Sequence, residues 1–163
     1  MWDVEGNRYF DFLSAYSSVN QGHCHPKIIK ALQNQAELVT VTSRAFYNTA
    51  LGEYEEYVTK LFNYDKVLPM NTGVEAGETA IKLARKWAYN VKKVEKNQAV
   101  VLFAAENFWG RTLSACSSST DPSCYEGFGP YMPNFKIIPY NDLNALEVSY
   151  ILFLNSVNFH LKK

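Results

Sequence analysis

Val100-Val101-Leu102-Phe103-Ala104 is a run of five apolar residues without alternation. A strand with one wet face alternates, so this run is expected to be a strand covered on both faces. Lys136-Ile137-Ile138-Pro139 is a second buried-strand candidate. The amphipathic stretches around them read as helices. Pro26 opens one that runs to about residue 39, with Ile28, Ile29, Leu32 and Ala36 on one face. Residues 50–62 form a second. Residues 75–90 form a third, with Ala76, Ala80, Leu83, Ala84 and Trp87 expected on its inner side. A further helix is expected from near Gly110, and residues 117–134 read as loop. Lys66-Val67-Leu68-Pro69-Met70 is strand-like, and residues 2–13 read as two short strands turning at Glu5-Gly6-Asn7. Strands alternating with helices imply an α/β fold with a mainly parallel sheet flanked by helices, preceded by an N-terminal hairpin segment.

Composition narrows the function classes. The 163 residues are 47% hydrophobic, which is enough for a real core. Sixteen basic and sixteen acidic residues are interspersed. No basic stripe exists to neutralise a phosphate backbone, so no nucleic-acid partner is expected. No run reaches the roughly 20 apolar residues that span a bilayer, so no membrane partner is expected. Three cysteines (Cys24, Cys116 and Cys124) lack framework spacing and fit a reducing compartment. Met1 leads straight into Trp2-Asp3-Val4-Glu5-Gly6, which reads as the middle of a fold, so any targeting segment is expected upstream.

Three stretches carry candidate chemistry. In Asn71-Thr72-Gly73-Val74-Glu75-Ala76-Gly77-Glu78-Thr79 a strand is expected to enter and a helix to leave. Thr72 and Gly73 then sit where free backbone amides and the positive helix end favour a phosphate. Gly73 admits close approach and Thr72 adds a hydroxyl. The stretch is neither a Walker loop nor GxGxxG. On the residues alone, an ordinary N-capped turn is an equal reading. Phe108-Trp109-Gly110-Arg111 follows the apolar run, at the carboxyl end where open α/β sheets hold ligands. An aromatic there can stack on a flat ring, and an arginine can grip a carboxylate. A core aromatic pair with a surface arginine is the plainer alternative. His23-Cys24-His25 places three donors in consecutive positions, which cannot readily surround one ion, so no metal is expected. Ser117-Ser118-Ser119-Thr120 has no positioned base beside it and reads as solvated loop.

The ordered motifs WDVEGNRYFDFLSAYSSVNQGHCHP, TSRAFYN, LGEYEEY, LPMNTGVEAGETAIKLARKW and FAAENFWGRTLSACSSSTDP resemble the ornithine aminotransferases, a branch of the class III transaminases. The resemblance runs from Trp2 to about Glu147. It implies part of the fold type I architecture of pyridoxal-5'-phosphate (PLP) enzymes. It divides the chain into residues 1–45 (small domain and linker), 46–147 (first part of the large PLP-binding domain) and 148–163 (a tail outside the family pattern). It implies that Thr72, Gly73 and Val74 form a phosphate cup, that Phe108 stacks on the pyridine ring with Trp109 beside it, and that Arg111 pairs with a substrate carboxylate. Tyr16 would line the substrate pocket.

Family chemistry would move the δ-amino group of ornithine to 2-oxoglutarate, giving glutamate semialdehyde and glutamate. The partners implied are small amino-acid and 2-oxo-acid substrates and a second subunit, with sites formed at a dimer interface. A mitochondrial matrix location follows from the same resemblance. The lysine that holds PLP as a Schiff base and the aspartate at the ring nitrogen have no match here. Lys66, Lys82, Lys86, Lys92 and Lys93 lie outside the family's lysine context. The expectation is therefore a truncated, front part of a transaminase that is inactive alone. Two alternatives stand beside it: a non-catalytic partner of full-length subunits, and a phosphate-ligand binding module.

Overall fold

The computed structural model describes residues 1–43 and 45–154, with side chains through residue 149. The chain divides into two compact units, Met1–Val67 and Leu68–Lys163. Residues 46–67, assigned above to the large domain, group by packing with the first unit.

In the first unit the expected hairpin shrinks to one antiparallel bridge, Trp2 with Arg8. Its turn is organised by a side chain instead of a ladder. The Asp3 carboxylate accepts from the backbone N–H of Glu5 and Asn7, from the Asn7 amide and from the Tyr9 hydroxyl. These bonds, led by those from Asn7, hold the carboxyl below its usual value of 3.8. Next comes α1 (Ser14–Ser17), a single turn whose residues all have positive φ, from 49° to 68°. Then follow α2 (Pro26–Leu38) and α3 (Thr49–Phe62). Pro26 opens α2 as expected, because its missing N–H costs nothing in a first turn. Asn48 caps α3, its side chain accepting from Leu51 N–H. The strand expected at residues 66–70 is absent; no segment among the described residues pairs with it to form a ladder.

The second unit holds α4 (Gly73–Asn90), β1 (Val101–Ala104), α5 (Leu113–Ser117), α6 (Pro122–Tyr125), β2 (Phe135–Ile138) and α7 (Leu143–Leu154). Strands β1 and β2 pair in parallel, with Val101 opposite Phe135 and Ala104 opposite Ile138. A parallel pair needs a long crossover, and α5 and α6 lie within it. Residues 117–134, expected as loop, thus include one short helical turn. The apolar run is a strand, but its residues are only half-buried, because among the described residues β2 is its one sheet neighbour. The buried apolar core is small: Ala88, Val94 and Ala99, with Tyr89 against them. Of the expected tail, residues 148–154 continue α7 and residues 155–163 lie outside the described residues.

Helix α4 corrects the expected burial. Leu83 is 67% exposed, and Ala76, Ala80 and Ala84 are exposed too. The packed face instead runs through Val74, Gly77, Glu78, Ile81, Arg85 and Ala88. Two charged residues sit on that face because each finds partners there. Arg85 donates to the Pro133 carbonyl at 2.9 Å and lies over the Phe135 ring, while Glu78 accepts two hydroxyls. A hydropathy pattern counts such residues as solvated; hydrogen bonding lets them pack.

Candidate functional site

Helix α4 begins at an N-cap. The Thr72 hydroxyl accepts from Glu75 N–H at 3.2 Å and lies 3.3 Å from the Glu75 carboxylate, to which it donates. That hydroxyl, expected as a free donor for phosphate, is therefore committed to Glu75. The donors that remain are the amides of Gly73 and Val74, the first two of the helix, which have no partner among the described residues. Above Gly73 the space is open: beyond its chain neighbours and its own helix backbone, no atom lies within 4 Å of where a Cβ would stand.

The segment after β1 meets the same helix. A Cβ placed on Gly110, whose φ is +144°, would lie 2.3 Å from Val74 Cγ2. A Cβ on Gly77 would lie 2.7 Å from Trp109 Cε3. Glycine at both positions lets α4 and residues 109–110 come into direct contact. Val74 of the expected phosphate cup is thus brought against the Phe108–Arg111 segment.

Trp109 faces inward. Its indole N–H donates to Ser118 Oγ at 2.7 Å, and its ring stacks on Phe103 with centroids 5.9 Å apart. Ser118 is fully buried and bonds onward to the Ala115 carbonyl. The Asn107 amide ties the β1 end to α5 through the carbonyls of Ala104 and Ser118, at 2.7 and 2.8 Å. Phe108 and Arg111 are more exposed to solvent. Phe108 is 69% exposed, and Arg111 makes no ion pair among the described residues. Both line a cavity of about 280 Å³, shared with Asn107, Trp109, Cys116 and Phe128. An exposed aromatic ring and a guanidinium without an ion pair among the described residues, at one cavity, suit a flat ring and an anionic group.

Tyr16 belongs to the first unit, in the left-handed turn α1. Consecutive non-glycine residues with positive φ are strained and gather at functional positions. The turn is held by Asp11, whose carboxylate accepts from Leu13 N–H and Ser14 N–H and lies 2.8 Å from His23 Nε2. His23 therefore serves as an anchor for this loop. Among the described residues no cluster of three or more metal-ligating side chains exists, and no helix is long and apolar enough to cross a membrane.

Sequence reasoning missed Glu78, Asn107 and Ser118 as organisers of the site. Only the places of Glu78, one residue after Gly77, and Asn107, two before Trp109, could have signalled them; Ser118, nine residues beyond Trp109, carried no local signal.

The model of the Aminotransferase class-III family matches residues 1–155. The chain belongs to the class-III aminotransferase family. It is 72% identical over 147 residues to the mitochondrial ornithine aminotransferase of Rattus norvegicus, covering 90% of this chain and 34% of that protein. It is 68% identical to the ornithine aminotransferase of Vigna aconitifolia, covering 91% and 35%. Among solved structures, the ornithine aminotransferase of Toxoplasma gondii superimposes with a TM-score of 0.88 at 53% identity, over 91% of this chain and 35% of that one. The ornithine δ-aminotransferase of Plasmodium falciparum gives 0.72 at 51% identity, over 91% and 33%. The architecture is therefore a part of the PLP-transferase fold. The chain spans about a third of the length of the relatives it matches. In a second T. gondii structure PLP is described at partial occupancy in the active site.

The residues present fit that cofactor. Two amides at a helix N-terminus without partners among the described residues, with open space over Gly73, suit a phosphate. The aromatic Phe108 stands on a segment that contacts Val74.

Proposed function

We propose that this chain provides the phosphate and ring-stacking part of a PLP-dependent aminotransferase site acting on ornithine and a 2-oxo acid. The observation that carries the reading is the Val74–Gly110 contact, which joins an open helix N-terminus to a segment bearing an exposed phenylalanine and arginine. When bound, PLP supplies an electron sink for amino transfer. The Gly73 and Val74 amides hold its phosphate, with the helix end adding electrostatic attraction. Phe108 covers one face of the ring and excludes water from it. Arg111 orients a substrate by its carboxylate through two parallel hydrogen bonds. Trp109, next to Phe108 in the chain, anchors the segment through Ser118 and Phe103.

The covalent lysine and the aspartate at the ring nitrogen have no counterpart among the lysines and aspartates of this sequence. On this reading these residues bind the cofactor without holding it covalently. Borohydride reduction with PLP followed by peptide mapping tests this. No lysine of this chain should be labelled specifically; one stoichiometrically labelled lysine would overturn that part of the reading. Saturable PLP binding, seen by absorbance, should be weaker for Phe108→Ala and for Arg111→Ala with a carboxylate-bearing analogue.

A second reading rests on the exposed apolar side chains of the second unit, Leu83, Leu113 and Leu143 among them. Surfaces of this kind mark association sites. The matching partner is a full-length aminotransferase subunit in the mitochondrial matrix. Co-purification with such a subunit, and fractionation with mitochondria, would support it.

A further inference from the structure

Glu78 is a half-buried carboxylate in the second turn of α4, and it makes no ion pair among the described residues. Its two oxygens each accept one hydroxyl from the opposite segment: Thr112 Oγ1 at 2.7 Å and Ser114 Oγ at 3.1 Å. Ser114 is buried, so its hydroxyl would lose its partner without Glu78. The Thr112 hydroxyl also caps α5, accepting from Ala115 N–H at 3.2 Å. Giving its proton to Glu78 leaves its lone pairs aligned for that cap. The carboxylate thus fixes the first turn of α5 from the side of α4.

Position along the helix gives this bond its consequence. Val74, Gly77 and Glu78 stand at i, i+3 and i+4 on one face. In turn they meet Gly110, Trp109, and Thr112 with Ser114. Residues 109–114 are therefore pinned at three points along α4. Phe108, just before the pinned residues, and Arg111, between them, line the cavity. We propose that Glu78 is a positioning residue: its fork onto Thr112 and Ser114 holds the Phe108–Arg111 segment in register with the α4 N-terminus. The two halves of the site are then set by one rigid helix. This rests on the cofactor reading above for its consequence, though not for its geometry.

The experiment compares Glu78→Ala, Glu78→Gln and Ser114→Ala in the full chain. Hydrogen exchange by mass spectrometry reads the geometry without any ligand. Glu78→Ala should speed exchange in residues 107–118 about tenfold or more, the size of a lost charged hydrogen bond. Residues 26–38 of α2 should be unchanged. Gln retains one acceptor oxygen and should restore most of the protection; Ser114→Ala should fall between. Unchanged exchange in residues 107–118 overturns the proposal, and so does uniform acceleration across both units in all three variants. Titration with PLP and with inorganic phosphate then reads the consequence. Glu78→Ala should lose about tenfold in PLP affinity and leave phosphate affinity unchanged. Equal loss for both probes, or for neither, overturns the positioning role. If the unaltered chain binds no PLP, the cofactor reading fails, and the exchange result alone decides the fork.

Discussion

Replacing Gly77 by alanine sets two opposed effects against each other, and the structure decides which wins. In an exposed helix interior, glycine to alanine is worth about 1 kcal/mol in favour of alanine. At Gly77 the new methyl would stand 2.7 Å from Cε3 and 3.1 Å from Cζ3 of Trp109. The ring has little room to retreat. Its N–H is bonded to Ser118, and its face lies on Phe103 with the planes 9° apart. Overpacking of this kind costs about 1–3 kcal/mol, and shifting the indole off Ser118 adds about 1 kcal/mol. The net expectation is destabilisation of about 1–3 kcal/mol. Because the chain holds three tryptophans, a Trp2→Phe, Trp87→Phe background makes Trp109 the sole reporter. Urea unfolding followed by its emission should show a lower midpoint for Gly77→Ala and a red-shifted native spectrum. A gain of about 1 kcal/mol with an unshifted spectrum, as for any exposed helical glycine, would refute the close approach of α4 to residues 109–110.

Thr72→Ala removes the α4 cap and should cost about 1 kcal/mol in urea unfolding, whereas Thr72→Ser should cost little, since the serine hydroxyl accepts the same Glu75 N–H bond. In the first unit, Asp11 is held below its usual 3.8, chiefly by the hydrogen bond with His23 and next by Ser14 N–H. A carboxyl lowered by folding contributes stability that is complete above the unfolded value and lost as pH falls through the lower folded one. The Leu13 and Ser14 amide proton shifts should therefore titrate together below pH 3.8 and stay flat in Asp11→Asn. A midpoint at or above that value would show that the carboxylate does not hold the α1 turn.

Much of this molecule was legible because some residues act locally. Pro26 and the polar turn before Gly73 mark helix starts without reference to anything distant, and α2, α3 and α4 begin within two residues of expectation. The apolar run at Val100–Ala104 named β1 for the same reason. Elements whose existence depends on a neighbour were less legible. Residues 66–70 have the composition of a strand but no ladder partner among the described residues, and residues 2–13 depend on the Asp3 side chain more than on cross-strand pairing. The inner face of α4 was misread because alanines and leucine were weighed against charge. The charges at Glu78 and Arg85 were the residues with partners.

That inversion bears on how the site is built. An apolar contact between α4 and the Phe108–Arg111 segment could slide by a residue at small cost, since dispersion is not directional. The fork from Glu78 cannot: moving one residue along would strip two hydroxyls, one of them buried, of their acceptor. The Asn107 and Trp109 bonds act in the same way on the other side of the segment. Polar residues in this interface therefore set register, while the two glycines set distance. A site that must present a ring-stacking aromatic and a carboxylate-gripping arginine at fixed positions gains more from register than from added apolar area. The exposed face of α4, with Ala76, Ala80 and Leu83, carries no such polar fixture among the described residues. It is the face on which apolar substitutions within the helix should leave Phe108 and Arg111 undisturbed.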